Sequence, residues 1–265
     1  MALLMRDHPS WRSNPSGATR VMREGPSSWL LSWIAGGDTL LVTSVHDQAP
    51  HSAAPRTDLI TPPAGVVGQL GAVLDQQGAV LRVRNGDLWD AVGTAIIRQV
   101  IRAGQAREMY GRFCQAHGPA IATDNGEHHL FPPAETVAGL PAAAFADLGM
   151  AFKGPALVAA AAAYLAHGDR WTTLGPAALS EALQQVSRVG PWTAGAAVAD
   201  HTNDFACYPY GDLAVRTWAR RAAPDTVWPD NEPDFAAHWR NACGPDLSDL
   251  TLLTLAWGDH HVRAP

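Results

Sequence analysis

The residues of this chain that could do chemistry by their types and spacing lie between Leu183 and Arg216. Two predicted helices meet there in a tight turn at Val189-Gly190-Pro191, and Asp212 stands 22 positions after Gly190, before a third predicted helix. The N–H groups at a helix start bind anions such as phosphate. A single carboxylate can stabilise positive charge that develops on a sugar. The stretch could therefore bind a phosphate backbone and supply a carboxylate to act beside it.

Each half of this stretch also has a plain structural interpretation. Gly190 permits a positive φ or a close backbone approach, and Pro191 suits the first position of a helix. Such turns also form ordinary helical corners. Asp212 is explained equally well as the N-cap of the helix that follows. Arg216 lies four residues further on, where it could pair with Asp212 on one helix face.

The bulk composition is that of a globular chain. Of 265 residues, 47% are hydrophobic and 17% are charged, which excludes the disordered class. No apolar run reaches the roughly 18 residues of a membrane helix, and the N-terminus is unlike a secretory signal. Cys114, Cys207 and Cys243 are too scattered for a disulfide framework or a CxxC metal pair, and fit a reducing cytosol. The net charge of −6 argues against a wholly basic surface, but it allows a local basic face.

The hydrophobic periodicity changes near residue 85 and predicts two domains. Residues 1–85 are expected to be β-rich, with a loop over Asp47–Gly65. The predicted strands are Trp29–Ile34, Thr39–Thr43 and an alternating, half-buried Leu81–Arg84. Residues 86–265 have helical spacing, with Asp87 as the first N-cap. The predicted helices include Leu88–Val100, Arg107–His117, Ala156–Ala166 ending at Gly168, Pro176–Val186 and Leu250–Trp257. The expected fold class is α+β, a β-rich N-terminal domain followed by an all-helical domain.

Together, the turn and the carboxylate resemble the helix–hairpin–helix superfamily of DNA glycosylases. The match runs from Leu183 through Ser187-Arg188-Val189-Gly190-Pro191-Trp192-Thr193-Ala194 to Asp212-Leu213-Ala214-Val215-Arg216. The Trp-Thr-Ala sequence is closest to the 3-methyladenine DNA glycosylase II branch, whose β-rich start is also similar. A looser similarity includes Ala95–Val100. The resemblance covers residues 80–262 and sets the helix–hairpin–helix motif at about 177–201.

The resemblance implies a monofunctional DNA glycosylase for alkylated or otherwise modified purines, which acts on a base turned out of the duplex. Asp212 is then the catalytic carboxylate, and Arg216 is a possible support. Trp192 stands where bifunctional relatives carry a Schiff-base lysine, so no lyase activity is expected. Trp192 and Trp257 are the candidates for the base pocket.

The resemblance also assigns DNA contacts and a partner. Arg188, Val189, Gly190 and Thr193 are expected to contact the DNA backbone. Val100 matches the position of a wedge inserted into the duplex, and Gln99 adjoins it. The implied partner is double-stranded DNA with a damaged or modified base. A cytoplasmic, nucleoid-associated monomer without signal peptide, membrane, metal or cofactor is expected.

The sequence departs from the family at defined positions. Arg188 replaces the first hairpin glycine, Ser187 replaces the preceding proline, and Arg98 replaces a small glycine. The iron–sulfur subfamily is excluded because it needs four clustered cysteines. Two alternatives remain open: a helix–hairpin–helix DNA-binding protein without catalysis, and a glycosylase for an unusual bulky adduct.

Overall fold

The computed structural model describes residues 2–34, 36, 39–46, 53–64 and 68–263. The strands in these ranges are β1 (Leu3–Leu4), β2 (Arg12–Asn14), β3 (Gly17–Glu24), β4 (Ser27–Ile34), β5 (Thr39–His46), β6 (Thr57–Ile60), β7 (Val80–Val83), β8 (Ala120–Thr123) and β9 (Gly126–His129). The helices are α1 (Gln69–Gln77), α2 (Leu88–Arg98), α3 (Ala103–His117), α4 (Ala134–Ala138), α5 (Ala142–Asp147), α6 (Gly154–Trp171), α7 (Pro176–Leu183), α8 (Pro191–Thr202), α9 (Leu213–Ala222), α10 (Glu232–Cys243) and α11 (Leu247–Arg263). Within the described part of the chain, no helix is long and apolar enough to cross a membrane.

The chain divides into two compact units, and both are discontinuous in sequence. The hairpin unit comprises His8–Arg56 and Arg84–Thr202. The carboxylate unit comprises Met1–Asp7, Thr57–Val83 and Asn203–Pro265. The predicted division at residue 85 separates the chain by type of secondary structure and stays a prediction. In contrast, the two units group segments that pack together.

The sheet of the hairpin unit has the order β2-β3-β4-β5, and all its neighbours are antiparallel. Gly25 turns the chain between β3 and β4 with a φ of 56°, a conformation that costs glycine little. Val21 of β3 and Leu30 of β4 pack in one buried cluster with Leu130. This cluster joins the sheet to the segment that follows β9.

The helical part of the hairpin unit is built around α2, which is buried from Leu88 to Ile97. The Asp87 side chain caps this helix by accepting hydrogen bonds from the N–H groups of Trp89 and Asp90. Phe131 lies so close to Gly93 that a Cβ there would meet its ring at 2.2 Å. A side chain at this position would therefore push the helix off its neighbours.

The carboxylate unit has a small sheet of order β1-β7-β6, parallel between β1 and β7. Arg82 of β7 is buried, 1% exposed. Its guanidinium lies 2.9 Å from a carboxylate oxygen of Asp7 and 4.9 Å from the ring centroid of Phe205, and it also donates to Asn203. These partners offset the cost of burying its charge.

The structure confirms the expected α+β fold class, with strands concentrated in the N-terminal part and helices after it. It also confirms Asp87 as a cap and the predicted strands at β4 and β5. The predicted loop over Asp47–Gly65 is wrong at Thr57–Ile60, which pairs with β7 as β6. Residues 47–52 and 65 of that loop lie outside the described residues.

Two further local predictions are wrong. Strand alternation predicts Arg82 on the open face of a half-buried strand, but its partners in the carboxylate unit bury it. The pattern predicts a helix end at Gly168, but α6 continues to Trp171 and its C-cap is Thr172. A helical glycine is tolerated there, where a Cβ would lie 3.2 Å from the Tyr164 ring.

Candidate active site

The hairpin between α7 and α8 presents a helix start as predicted. Val186 and Val189 are buried and anchor the turn, whereas Arg188 and Gly190 are exposed. The first hydrogen bond into α8 runs from the Ala194 N–H to the Gly190 carbonyl at 3.0 Å. The N–H groups before Ala194 therefore have no acceptor within the helix, which is the condition for binding an anion.

The residue that makes the hairpin turn left-handed is Arg188, with a φ of 67°. Gly190 does not have a positive φ, and a Cβ built on it meets no heavy atom of the described residues within 4 Å. Glycine at position 190 therefore leaves the space at the helix start open. Arg188 occupies a conformation that costs a non-glycine residue roughly 1–2 kcal/mol.

Gln99 connects the end of α2 to this hairpin. Its Nε2 lies 2.7 Å from the Thr193 hydroxyl oxygen and 3.2 Å from the Arg188 carbonyl oxygen. Gln99 is also the C-cap of α2. The predicted duplex contact thus has a hydrogen-bonding role inside the hairpin unit.

Two large apolar side chains are exposed close to this connection. Val100 is fully exposed and has a φ of 57°, which is an outlier for a β-branched residue. Phe152, in the segment between α5 and α6, is 57% exposed. Between them lies Lys153, whose ammonium is 2.6 Å from the Gln99 carbonyl oxygen and 4.9 Å from the Phe152 ring centroid. Burial lowers the pKa of Lys153 to about 8.

A buried polar network fixes the helices behind this surface. Its members are His8, Asn85, Asp90, Thr94, Tyr110 and Asp200. Asn85 Nδ2 lies 2.9 Å from an Asp200 oxygen and 3.2 Å from an Asp90 oxygen, and the Tyr110 hydroxyl donates to Asp90 at 3.0 Å. Burial raises the pKa of Asp90 to about 7. The network holds α2, α3 and α8 together and belongs to the scaffold.

Asp212 lies in the carboxylate unit and is the N-cap of α9, as its position in the sequence indicated. One carboxylate oxygen accepts from the Ala214 N–H at 3.3 Å. Among the described residues, the other oxygen has no hydrogen-bond partner. The side chain is partly exposed, so the cap fixes the carboxylate and leaves one oxygen available to another group.

Arg216 does not pair with Asp212 in the described part of the chain. Its Nη1 donates to the Asp230 carbonyl oxygen at 3.0 Å. Arg216 therefore ties α9 to the segment that precedes α10. A supporting role of Arg216 in catalysis remains a prediction.

The two tryptophans predicted for a base pocket lie in different units. Trp192 is a half-buried residue in the first turn of α8. Trp257 of α11 stacks on His261, with ring centroids 4.0 Å apart. Trp257 lines a cavity of about 620 Å³ formed by residues of the carboxylate unit, and Asp212 is not among the lining residues. A base-binding role for either tryptophan remains a prediction.

No protein-family model and no curated protein matches this sequence, whereas solved structures do. The apo form of 8-oxoguanine glycosylase/lyase from Clostridium acetobutylicum is 12% identical, with 96% of this chain and 90% of that chain covered and a TM-score of 0.69. Its complex with double-stranded DNA containing cytosine opposite 8-oxoguanine is 14% identical, with 98% and 90% covered and a TM-score of 0.69.

A 3-methyladenine DNA glycosylase from Archaeoglobus fulgidus is also similar. It is 14% identical, with 98% of this chain and 93% of that chain covered and a TM-score of 0.71. The fold is that of DNA glycosylases. The resemblance first noted on the hairpin and the carboxylate is thus matched by the fold of nearly the whole chain, and the 3-methyladenine branch is among the matches.

The glycosylase fold brings some of the predicted residues together. Gln99 and Val100 lie beside the hairpin residues Arg188 and Thr193 in one unit. The exposed Phe152 and the buried Lys153, which binds the Gln99 carbonyl, were missed by sequence reasoning. The available signal was the composition, because Lys153 is the only lysine in the sequence beside 18 arginines.

Proposed function

We propose that this protein is a monofunctional DNA glycosylase that hydrolyses the N-glycosidic bond of alkylated or otherwise modified purines. The observation that carries the proposal is Asp212, a carboxylate fixed by its own helix cap with one oxygen unpaired among the described residues. It follows a hairpin whose helix start suits a phosphate, in a chain with a glycosylase fold. The bases named for the similar structures, 8-oxoguanine and 3-methyladenine, are both modified purines.

The proposed reaction begins when the N–H groups at the start of α8 bind a backbone phosphate and Val100 enters the duplex. As the C1′–N bond breaks, its electron pair leaves with the base and positive charge develops on the sugar. The Asp212 carboxylate stabilises this charge. Water adds to C1′ and loses a proton, to solvent when the departing purine was cationic or to the departing base when the purine was neutral. The products are the free base and an abasic site.

The absence of a reactive amine at the hairpin supports the monofunctional assignment. Position 192, next to the helix start, holds tryptophan. Lys153, the only lysine of the chain, is 2% exposed and donates to the Gln99 carbonyl. A Schiff base with the sugar needs an accessible amine. Abasic DNA is therefore the expected end product, without strand cleavage by β-elimination.

The direct test is a panel of duplexes that each contain one modified purine, including 3-methyladenine, 7-methylguanine, hypoxanthine, 8-oxoguanine and a bulky N-alkyl adduct. Released base is measured by mass spectrometry, and strand cleavage is scored with and without hot alkali. The proposal predicts base release on an alkylated purine and cleavage only after alkali. Salt-dependent binding to every duplex without base release would favour a non-catalytic DNA-binding protein.

We also propose a partner and a setting for this reaction. The substrate is double-stranded DNA, and the protein acts as a monomer on the chromosome in the cytoplasm. Light scattering of the protein on a short lesion-containing duplex tests this stoichiometry. One chain per duplex is the expected result, and two chains would contradict it.

A further inference from the structure

The peptide between Gln99 and Val100 is held by a buried lysine. Gln99 ends α2 with φ −52° and ψ 129°, and Val100 then takes a φ of 57°. These torsions turn the Gln99 carbonyl out of the helix. The carbonyl oxygen accepts a hydrogen bond from Lys153 Nζ at 2.6 Å. Because the carbonyl of Gln99 and the N–H of Val100 belong to one planar peptide, this bond fixes the plane whose rotation sets φ of Val100.

This conformation of Val100 needs such support. A β-branched residue in the left-handed region costs of order 1–3 kcal/mol and persists where the surroundings over-determine it. Val100 is fully exposed, so packing of its own side chain does not supply that support. The support comes from the preceding residue, whose carbonyl is bonded to Lys153 and whose side chain is bonded to Thr193 and the Arg188 carbonyl.

The surroundings of Lys153 suit a compact cation. Lys153 is 2% exposed and, within the described residues, makes no ion pair with a carboxylate. Burial alone lowers the pKa of Lys153 to about 8. The ammonium also lies at the C-terminal end of α2, where the helix dipole favours a cation. A compact ammonium can direct one of its three donors at this carbonyl, whereas a planar guanidinium is larger and presents five donors.

We propose that Lys153 is a positioning residue that holds Val100 in its exposed, left-handed conformation so that the side chain enters the duplex. This proposal rests on the proposed function, because it concerns how the same surface opens DNA. Lys153 acts through the Gln99–Val100 peptide and does not touch the DNA base. Since Gln99 also binds the hairpin, phosphate binding at α8 and insertion of Val100 share one support.

The test separates opening of the duplex from binding and from base release. The probe is a duplex with a tetrahydrofuran abasic analogue next to 2-aminopurine, whose fluorescence rises when it unstacks. Wild-type protein, Lys153→Met, Val100→Gly and the double variant are compared at saturating protein. We expect Lys153→Met to lower the unstacking equilibrium roughly tenfold, which corresponds to about 1.4 kcal/mol, with a much smaller change in affinity.

The double variant decides whether Lys153 acts through Val100. If Lys153 acts through Val100, Lys153→Met has little further effect in the Val100→Gly background. Additive losses would show a separate role of Lys153 and overturn the proposal. Arg102→Gln is the matched charge control, because Arg102 is an exposed cation two residues after Val100. It should weaken binding and lower the salt dependence without lowering unstacking at saturation.

The folding stability of the variants is a second test of the role of Lys153. Glycine adopts a positive φ without support, so Lys153→Met should cost less stability in the Val100→Gly background than in the wild-type protein. An equal cost in both backgrounds, including failure of both to fold, would make Lys153 a general core residue and refute the proposal. If the wild-type protein binds this duplex but does not unstack 2-aminopurine, Val100 does not enter the duplex and the role of Lys153 is refuted. If the wild-type protein also releases no base from the duplexes with modified purines, the proposed function fails. Equal unstacking by wild type and Lys153→Met would refute only the role of Lys153.

Discussion

The side-chain amide of Gln99 donates to the hydroxyl of Thr193 at 2.7 Å and joins the C-terminal end of α2 to the first turn of α8. The same nitrogen lies 3.2 Å from the carbonyl oxygen of Arg188 in the hairpin. These hydrogen bonds of Gln99 therefore tie the segment with the exposed Val100 to the helix start of α8, which suits a phosphate. A substitution in one of these two segments should therefore alter the geometry of the other.

This link predicts an energetic coupling between the two residues. Gln99→Ala and Thr193→Ala should each destabilise the protein, and the double variant should lose about 1 kcal/mol less than the sum of the single losses. Urea unfolding of the four proteins measures the coupling. Gln184→Ala is a matched control, because Gln184 is an exposed glutamine whose side chain, among the described residues, donates only to Ser180. Additivity to within a few tenths of a kcal/mol would contradict the link.

The left-handed conformation of Arg188 gives a second prediction. Arg188→Gly should be about 1 kcal/mol more stable than Arg188→Ala, because alanine keeps the strain at a φ of 67° and glycine relieves it. Both variants remove the same charge. If Arg188 contacts a phosphate, both should reduce the slope of log affinity against log salt by about 0.9. Equal stability of the two variants would contradict the strain, and unchanged slopes would contradict the phosphate contact.

The buried network predicts a pH dependence of stability. Burial, followed by the charge of Asp87, raises the pKa of Asp90 from 3.8 to about 7, with Arg20 opposing and Asp200 reinforcing the shift. A raised folded-state pKa contributes stability below the unfolded-state pKa, and this stability is lost as pH rises through the folded-state value. The contribution of Asp90 should therefore decline between about pH 4 and pH 7.

Urea unfolding of wild type and Asp90→Asn from pH 4.5 to pH 8 isolates this contribution, because other titrating groups cancel in the difference. The advantage of wild type over Asp90→Asn should shrink as pH rises to about 7 and then level off. His8, Tyr110 and Asp200 also face Asp90, so His8→Gln is the control for histidine titration. A wild-type advantage that stays constant over the whole range would show that Asp90 keeps its ordinary pKa.

Because the chain has one lysine, the expected absence of lyase activity is simple to test. Borohydride trapping on abasic DNA should give no covalent complex, because Lys153 is buried and bonded to the Gln99 carbonyl. Protein with an acetylated α-amino group is the control for the remaining amine. A trapped complex that maps to the peptide containing Lys153 would show a glycosylase with lyase activity.

The parts of the fold that depend on local chemistry could be predicted from the sequence. Asp87 and Asp212 are predictable as caps because an aspartate before a helical pattern bonds to nearby N–H groups. The strands β4 and β5 could be predicted from dense apolar residues. The pattern places the hairpin turn correctly, but it does not show that Arg188 takes the positive φ. Several sequences fit one turn, and only the backbone decides which residue bears the strain.

The remaining features depend on partners that are distant in sequence. Arg82 is buried by Asp7 and Phe205, and no local pattern records these contacts. Lys153 meets Gln99 across 54 positions, and Asn85 meets Asp200 across 115. The short strands β1 and β2, of two and three residues, carry too little pattern to be predicted. Tertiary contacts decide these features, so sequence periodicity could not predict them.

The substitution Asp212→Asn is the most direct test of whether the Asp212 carboxylate is catalytic. Asparagine is as good an N-cap as aspartate, so the variant keeps the Ala214 bond and the start of α9 while it removes the negative charge. Base release is measured on duplex DNA with an alkylated purine, and thermal unfolding and DNA affinity are measured on the same samples. We expect unchanged folding and binding, with base release at least roughly a hundredfold slower, the scale of losing one electrostatic group in an active site. Wild-type rates of base release from a folded Asp212→Asn protein would contradict a catalytic role of Asp212.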